Sequence, residues 1–234
     1  MSEEIFVEKI NKLGICINQE TKEKFNKYYN LLKEYNKKFN LTSIIEKEAV
    51  YLKHFYDSAT AILSKEIVKE VEICDVGTGA GFPGIVLKLL IPEIKLTLID
   101  SSHKKAEFLN TILKELEIED VIVVCNRVED YVKDSDKRYD VVITRAVAKL
   151  NILCELCIPL LKVNGNFISM KADADEEIRE ANKAISILNS NIKNIIKFKL
   201  PIENSKRSII IIKKNNENDK KYPRRFSEIK KNSL

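Results

Sequence analysis

The chain has 234 residues, 44% hydrophobic and 32% charged, which is globular composition with a polar lean and enough length for one sizeable core plus an appendage. No apolar run reaches the length of a membrane span, the best, Ile85 to Ile91, being broken by Lys88, and the acidic start Ser2-Glu3-Glu4 resembles no secretory leader. The net charge of +5 is modest, and an odd count of five cysteines points to reduced thiols and a cytoplasmic setting.

Residues 1–65 read as helical. Phe25, Tyr28, Tyr29, Leu32, Tyr35 and Phe39 recur at three- and four-residue steps, an amphipathic stripe that belongs in a core. Asn40-Leu41-Thr42 breaks that helix, and Ser43 with Glu46 forms a capping box for the next. His54 lies in this segment and is expected to face the core.

From Val71 onward strands and helices alternate. The pattern predicts strand 71–75, helix 83–91, strand 95–99, helix 103–116 and strand 121–124. Strand 139–144, helix 149–161, strand 166–170 and helix 175–189 follow, then strands near 194–199 and 207–213. Such alternation implies an α/β fold with a doubly wound, mostly parallel sheet. The last two strands are separated only by Pro201 to Ser205, so they should pair as an antiparallel hairpin. The expected organisation is a helical segment at 1–65, an α/β domain at 66–214 and a basic tail at 215–234.

Residues 201–234 carry ten basic and four acidic side chains, leaving the preceding 200 residues near neutral. A basic end on a near-neutral body suits a polyanion. Lys220, Lys221, Arg224 and Arg225 are the expected phosphate contacts. Residues 214–221 read as a tether, and Pro223 favours an extended chain after it.

The chemistry centres on Gly77-Thr78-Gly79-Ala80-Gly81-Phe82-Pro83-Gly84. Four of the six glycines of the chain fall here, between a strand and a helix. That layout turns backbone N–H groups and a helix N-terminus toward a ligand. Asp100 ends the next strand, 23 residues after Gly77, close to the spacing of a carboxylate that grips ribose hydroxyls. Two cofactors fit the glycines. Gly79, Gly81 and Gly84 spell a dinucleotide pattern. Gly77, Gly79 and Gly81 preceded by Asp75 suit a phosphate-free nucleoside, because a carboxylate there repels pyrophosphate and attracts an ammonium. S-adenosylmethionine has that ammonium and no phosphate. No Gly-Lys-Ser/Thr follows the turn, so a P-loop is excluded.

Arg145 ends the fourth strand, where ligands meet open α/β sheets. No Asn/Asp-Pro-Pro-Tyr/Phe motif for exocyclic amines occurs there, and no cysteine nucleophile for pyrimidine C5. Arg127-Val128-Glu129-Asp130 follows strand three along the expected adenine edge, although Glu129 equally suits a helix N-terminus. His103 reads as site rim. Cys154 and Cys157 form a lone C-x-x-C on a helix, without a second pair, and no metal site is expected.

The run Asp75 to Gly84 resembles the signature of the RsmG (GidB) family, bacterial small-subunit rRNA guanine-N7 methyltransferases. So do Asn40-Leu41-Thr42-Ser43, His54-Phe55-Tyr56-Asp57-Ser58, Asp100 to Lys105, Phe108-Leu109, Arg127-Val128-Glu129, Thr144 to Ala148, Met170-Lys171 and Tyr222-Pro223-Arg224-Arg225. The resemblance implies the class I methyltransferase fold and S-adenosylmethionine held by Gly77, Phe82, Val128, Glu129 and Arg145. With Asp75, Gly79 and Asp100 from the loop reading, these make up the expected cofactor set. It also implies methylation of a guanine near position 527 of 16S rRNA, with the rRNA or small subunit as partner; a monomer is expected, although the sequence leaves oligomeric state open. Thr144 and Ala172 depart from the Ser and Gly frequent in the family. Guanine N7 has a free lone pair, so catalysis can rest on placement, with Arg145 positioning the base and no general base. The competing readings are a nicotinamide-dependent oxidoreductase on Gly79/Gly81/Gly84 and a non-catalytic RNA-binding module.

Overall fold

The computed structural model describes residues 1–145 and 147–234; Ala146, inside the Thr144 to Ala148 block, lies outside the described residues. Helices α1 (Glu3–Lys12) and α2 (Gln19–Phe39) come first. The Asn18 side chain caps α2 by accepting from the Thr21 amide at 2.8 Å. Asn40 ends it at φ 50°, a left-handed conformation that asparagine tolerates. A short α3 (Lys47–Val50) runs into a π-helical turn, Tyr51–Tyr56, then α4 (Asp57–Ala59) and a 3₁₀ turn, Thr60–Ser64. The predicted capping box is absent: α3 starts at Lys47 behind Glu46, with no side-chain cap. Ser43 stands too far upstream to reach its first turn.

Seven strands form one sheet: β1 (Glu72–Val76), β2 (Lys95–Asp100), β3 (Val121–Cys125), β4 (Tyr139–Arg145), β5 (Leu161–Lys171), β6 (Ser190–Lys199) and β7 (Lys206–Lys214). Their order is β3-β2-β1-β4-β5-β7-β6. The first five pair in parallel. β7 inserts antiparallel between β5 and β6. This is the expected mostly parallel sheet with a terminal hairpin. The order reverses between β1 and β4, so a crevice opens at their carboxyl ends.

Alternation along the strands separates two cores. Ile73, Val141, Ile143, Ile168 and Met170 face one side, against α5 (Gly84–Leu90), α6 (His103–Glu115) and the aromatic face of the N-terminal helices, led by Phe6, Phe25, Tyr28 and Phe55. Cys74, Val142, Phe167 and Ile210 face the other, under α8 (Leu150–Cys157) and α9 (Asp175–Ile187). The helix α7 (Val128–Asp134) has Glu129 and Asp130 in its first turn, as the helix N-terminus reading of Glu129 expected, although no range was expected for it. Only Val128, Glu129 and Val132 of its residues are buried, too few to print a helical period.

The chain after β7 departs from the expected extended tail. Residues Phe226–Lys231 form α10, and Ile229 is fully buried in the second core. Lys214, expected in the tether, is buried and donates to the Leu161 carbonyl at 2.8 Å. Among the described residues, no helix is long and apolar enough to cross a membrane.

Candidate active site

The glycine loop is held from below. The Gly77 and Thr78 amides donate to the Ile99 carbonyl at 2.8 and 3.2 Å, which ties the loop to β2. Asp75 Oδ2 accepts from Thr78 Oγ1 at 2.7 Å and from the Gly84 amide at 2.8 Å. Asp75 is fully buried under the loop and so does not face a cofactor ammonium as its position at the strand end suggested. It fixes the loop instead. The same bond fills the N-terminus of α5, where a dinucleotide pyrophosphate would dock. A Cβ on Gly84 would meet Asp75 and Leu98, and one on Gly81 would meet Tyr28 and Ile85, so these two glycines serve packing. Nothing in this loop favours the dinucleotide reading.

Burial raises the Asp75 carboxyl to about 6, against the hydrogen bonds from Thr78 and Gly84. A raised native pKa means the native state holds the proton more tightly than the unfolded chain. Stability from this group is therefore present at low pH and lost as pH rises through about 6. Asn can keep both accepted bonds and cannot titrate. As pH falls from about 6.5 to 4.5, wild type should gain about 2 kcal/mol over Asp75→Asn in urea unfolding. Parallel stability curves would refute the assignment.

Two adjoining cavities open above the loop. The smaller, about 420 Å³, is lined by Gly77, Asp100, Val128, Glu129 and Arg145, five of the expected cofactor residues. Asp100 holds its place by accepting from the Gly79 and Ser102 amides, each at 3.0 Å, and from Lys105 Nζ at 3.2 Å. Gly79 lines the larger cavity rather than this one, and a Cβ built on it would meet nothing closer than the Gly77 carbonyl oxygen at 4.0 Å. On Gly77 it would instead strike Val147 at 2.7 Å. A side chain there would thus disturb the wall before it met any ligand. The strand-end carboxylate of Asp100 and the apolar walls of the smaller cavity together fit a nucleoside.

The larger cavity, about 650 Å³, shares Gly77, Arg145 and Val147 with the first and is roofed by Thr42, Lys53, His54 and Asp57 of the helical segment. Phe82 lines it and stacks on His54, ring centroids 4.6 Å apart. Arg145 stands between the cavities. Its Nη1 donates to the Lys53 carbonyl at 2.8 Å and lies 3.6 Å from Asp57 Oδ2, while Nη2 lies 3.2 Å from His54 Nδ1. A guanidinium only donates, so His54 Nδ1 accepts and Nε2 carries the hydrogen toward Thr42 Oγ1, 2.9 Å away. Burial, with Arg145 adding to it, pulls the His54 pKa down to about 3. Neutral, with its lone pair already taken, His54 cannot act as a general base. It is buried as expected, yet it forms cavity wall.

Asp57 and Arg207 were not singled out from the sequence. Asp57 accepts both oxygens' worth of contact from Arg207 Nε, at 3.0 and 3.1 Å, in addition to facing Arg145. Lys171 lines the same cavity and bonds the Ala148 carbonyl and Glu177 Oε2. Both acids of this cavity are therefore paired. A basic residue at the start of a strand, like Arg207, carries no local signal that distinguishes it from a surface charge.

The basic end divides. Arg224 is drawn inward, with Nε and Nη2 on the Glu155 carboxylate at 2.7 and 2.6 Å, so it is not available to phosphate. Lys220, Lys221 and Arg225 are exposed. His103 is exposed at the start of α6, near Cys125. Cys154 and Cys157 are buried free thiols whose pKa burial raises. No group of three or more His, Cys, Asp or Glu residues that could hold a metal is found among the described residues.

Residues 21–210 match the family described as GidB, rRNA small subunit methyltransferase G. The chain is 43% identical to the ribosomal RNA small subunit methyltransferase G of Staphylococcus carnosus, over all of this chain and 99% of that protein. It is 46% identical to the protein of the same name from Staphylococcus epidermidis, over 96% of this chain and 95% of that one. The fold resembles a Listeria monocytogenes protein assigned to the class I S-adenosylmethionine-dependent methyltransferases (TM-score 0.59, 16% identity, 86% of this chain and 71% of that one). It also resembles a ribosomal protein L11 methylase from Lactobacillus delbrueckii (TM-score 0.54, 17% identity, 70% and 79%).

Proposed function

The chain belongs to the rRNA small subunit methyltransferase G family, and from that premise we propose that it transfers a methyl group from S-adenosylmethionine to guanine N7 of 16S rRNA, near position 527, as a cytoplasmic monomer. The observation that carries this reading is the convergence of Gly77, Asp100, Val128, Glu129 and Arg145 on one cavity that opens into a second. The smaller cavity takes the nucleoside, with Asp100 toward the ribose hydroxyls. The larger takes the base. When bound, the cofactor supplies an electrophilic sulfonium methyl. The protein contributes placement: Arg145, between the two cavities, ties the Lys53–His54 roof to the end of β4 and so sets where cofactor and base meet. His54, Asp57 and Glu177 are each engaged, so none is free to take a proton, and N7 needs none taken.

The test is labelled methyl transfer to small-subunit RNA lacking the modification, with the modified base mapped. One methyl at guanine N7 is expected; transfer to another atom or none would overturn the reading. RNA affinity should depend on the exposed part of the basic end. Lys220/Lys221/Arg225→Ala should weaken RNA binding and flatten its log–log salt dependence by about 2, at roughly 0.7 per single-strand phosphate contact. An unchanged slope would leave these three as solvated surface charges.

A further inference from the structure

The segment after β7 contributes to the cofactor cavity. The family model matches only to residue 210, while the Staphylococcus carnosus relative aligns over the whole chain, this segment included. Phe226, at the start of α10, lines the smaller cavity, on its apolar side with Ile99, Val128 and Leu156. The ring is half-buried and packs on the second core. Two anchors hold it there. Two residues before it, Arg224 grips both oxygens of the Glu155 carboxylate on α8, a side chain that is 0% exposed. Three residues after it, Ile229 is sunk fully in the core.

We propose that Phe226 is a cofactor-binding residue that packs on the adenine ring, and that the Arg224–Glu155 pair is the clasp that positions it. This rests on the reading of the smaller cavity as the nucleoside site. An aromatic side chain among aliphatic ones suits a planar heteroaromatic ring, with Asp100 and Glu129 left to its polar edge and ribose. The basic end then serves two ligands: its exposed cations face RNA, and its anchored aromatic closes the nucleoside cavity.

The chain has no tryptophan, so Phe226→Trp introduces a single fluorescent reporter. Its emission should change saturably with S-adenosylmethionine and with adenosine, and stay constant with L-methionine. By calorimetry on the full chain, Phe226→Ala should weaken S-adenosylmethionine and adenosine alike, by about tenfold, the scale of one base–aromatic stack. RNA affinity without cofactor should not move, a separation that general unfolding would not produce. Wild-type-like affinities in Phe226→Ala, or silent emission in Phe226→Trp while calorimetry shows binding, would overturn the proposal. If Phe226→Ala fails to fold, the emission readout decides alone. Failure of the wild type to bind S-adenosylmethionine at all would remove the nucleoside reading of the cavity, and this proposal with it.

Discussion

Arg145→Ala should lower kcat/KM for methyl transfer by about 100-fold or more while leaving a folded protein. The expectation follows from what Arg145 touches. It lines both cavities, and its donors reach the Lys53 carbonyl and His54 while Asp57 stands at 3.6 Å. Removing it releases the roof of the larger cavity from the end of β4 at the point where cofactor and base must meet. A misplacement of about 1 Å between reacting groups costs on the order of 10²-fold. The fold should survive because Asp57 is not orphaned: Arg207 still holds it through Nε at 3.0 and 3.1 Å. Arg145→Lys should fall between the two. An ammonium can face Asp57, but it cannot fork to a carbonyl and an imidazole nitrogen together. Single-turnover transfer and thermal melting of both variants make the check. Turnover within threefold of wild type in Arg145→Ala would reassign Arg145 to a purely structural tie.

The sheet and the loop chemistry were legible because local signals carry them. Strand–glycine–helix at 71–91 has a period change and four glycines, and Asp100 sits at the spacing a ribose contact requires. Tertiary context wrote the rest. Asp75 has the position of a ligand, and only the fold shows that Thr78 and Gly84 turn its carboxylate under the loop. His54 and Asp57 lie three residues apart, but Arg145 and Arg207 reach them from far along the chain, and no spacing rule links 57 to 207. Phe226 sits in a segment whose charge dominates its composition. The charge there reads as a polyanion surface, and nothing local marks Phe226 as facing the cavity.

Arg224→Ala should cost about 3–5 kcal/mol of stability, the scale for leaving a buried charge without its partner. Glu155 is 0% exposed and receives the Arg224 backbone amide at 3.0 Å as well as two guanidinium donors. Truncation removes both charge-assisted donors and leaves the carboxylate in an apolar helix interface between Leu153, Cys154 and Leu156. In a chain of this size the thermal midpoint should fall by roughly 6–20 °C. Lys220→Ala and Lys221→Ala, on exposed cations, should each change stability by no more than about 0.5 kcal/mol. The double variant Glu155→Leu/Arg224→Met should recover most of the loss, since apolar replacement of a buried ion pair is often neutral or better. The three variants separate two roles that the sequence gives equal standing. If Arg224→Ala melted like Lys220→Ala and instead lowered the salt dependence of RNA binding, Arg224 would be a phosphate contact and the Glu155 clasp incidental. A large loss of stability with an unchanged RNA salt slope fixes it as the anchor of the segment that carries Phe226.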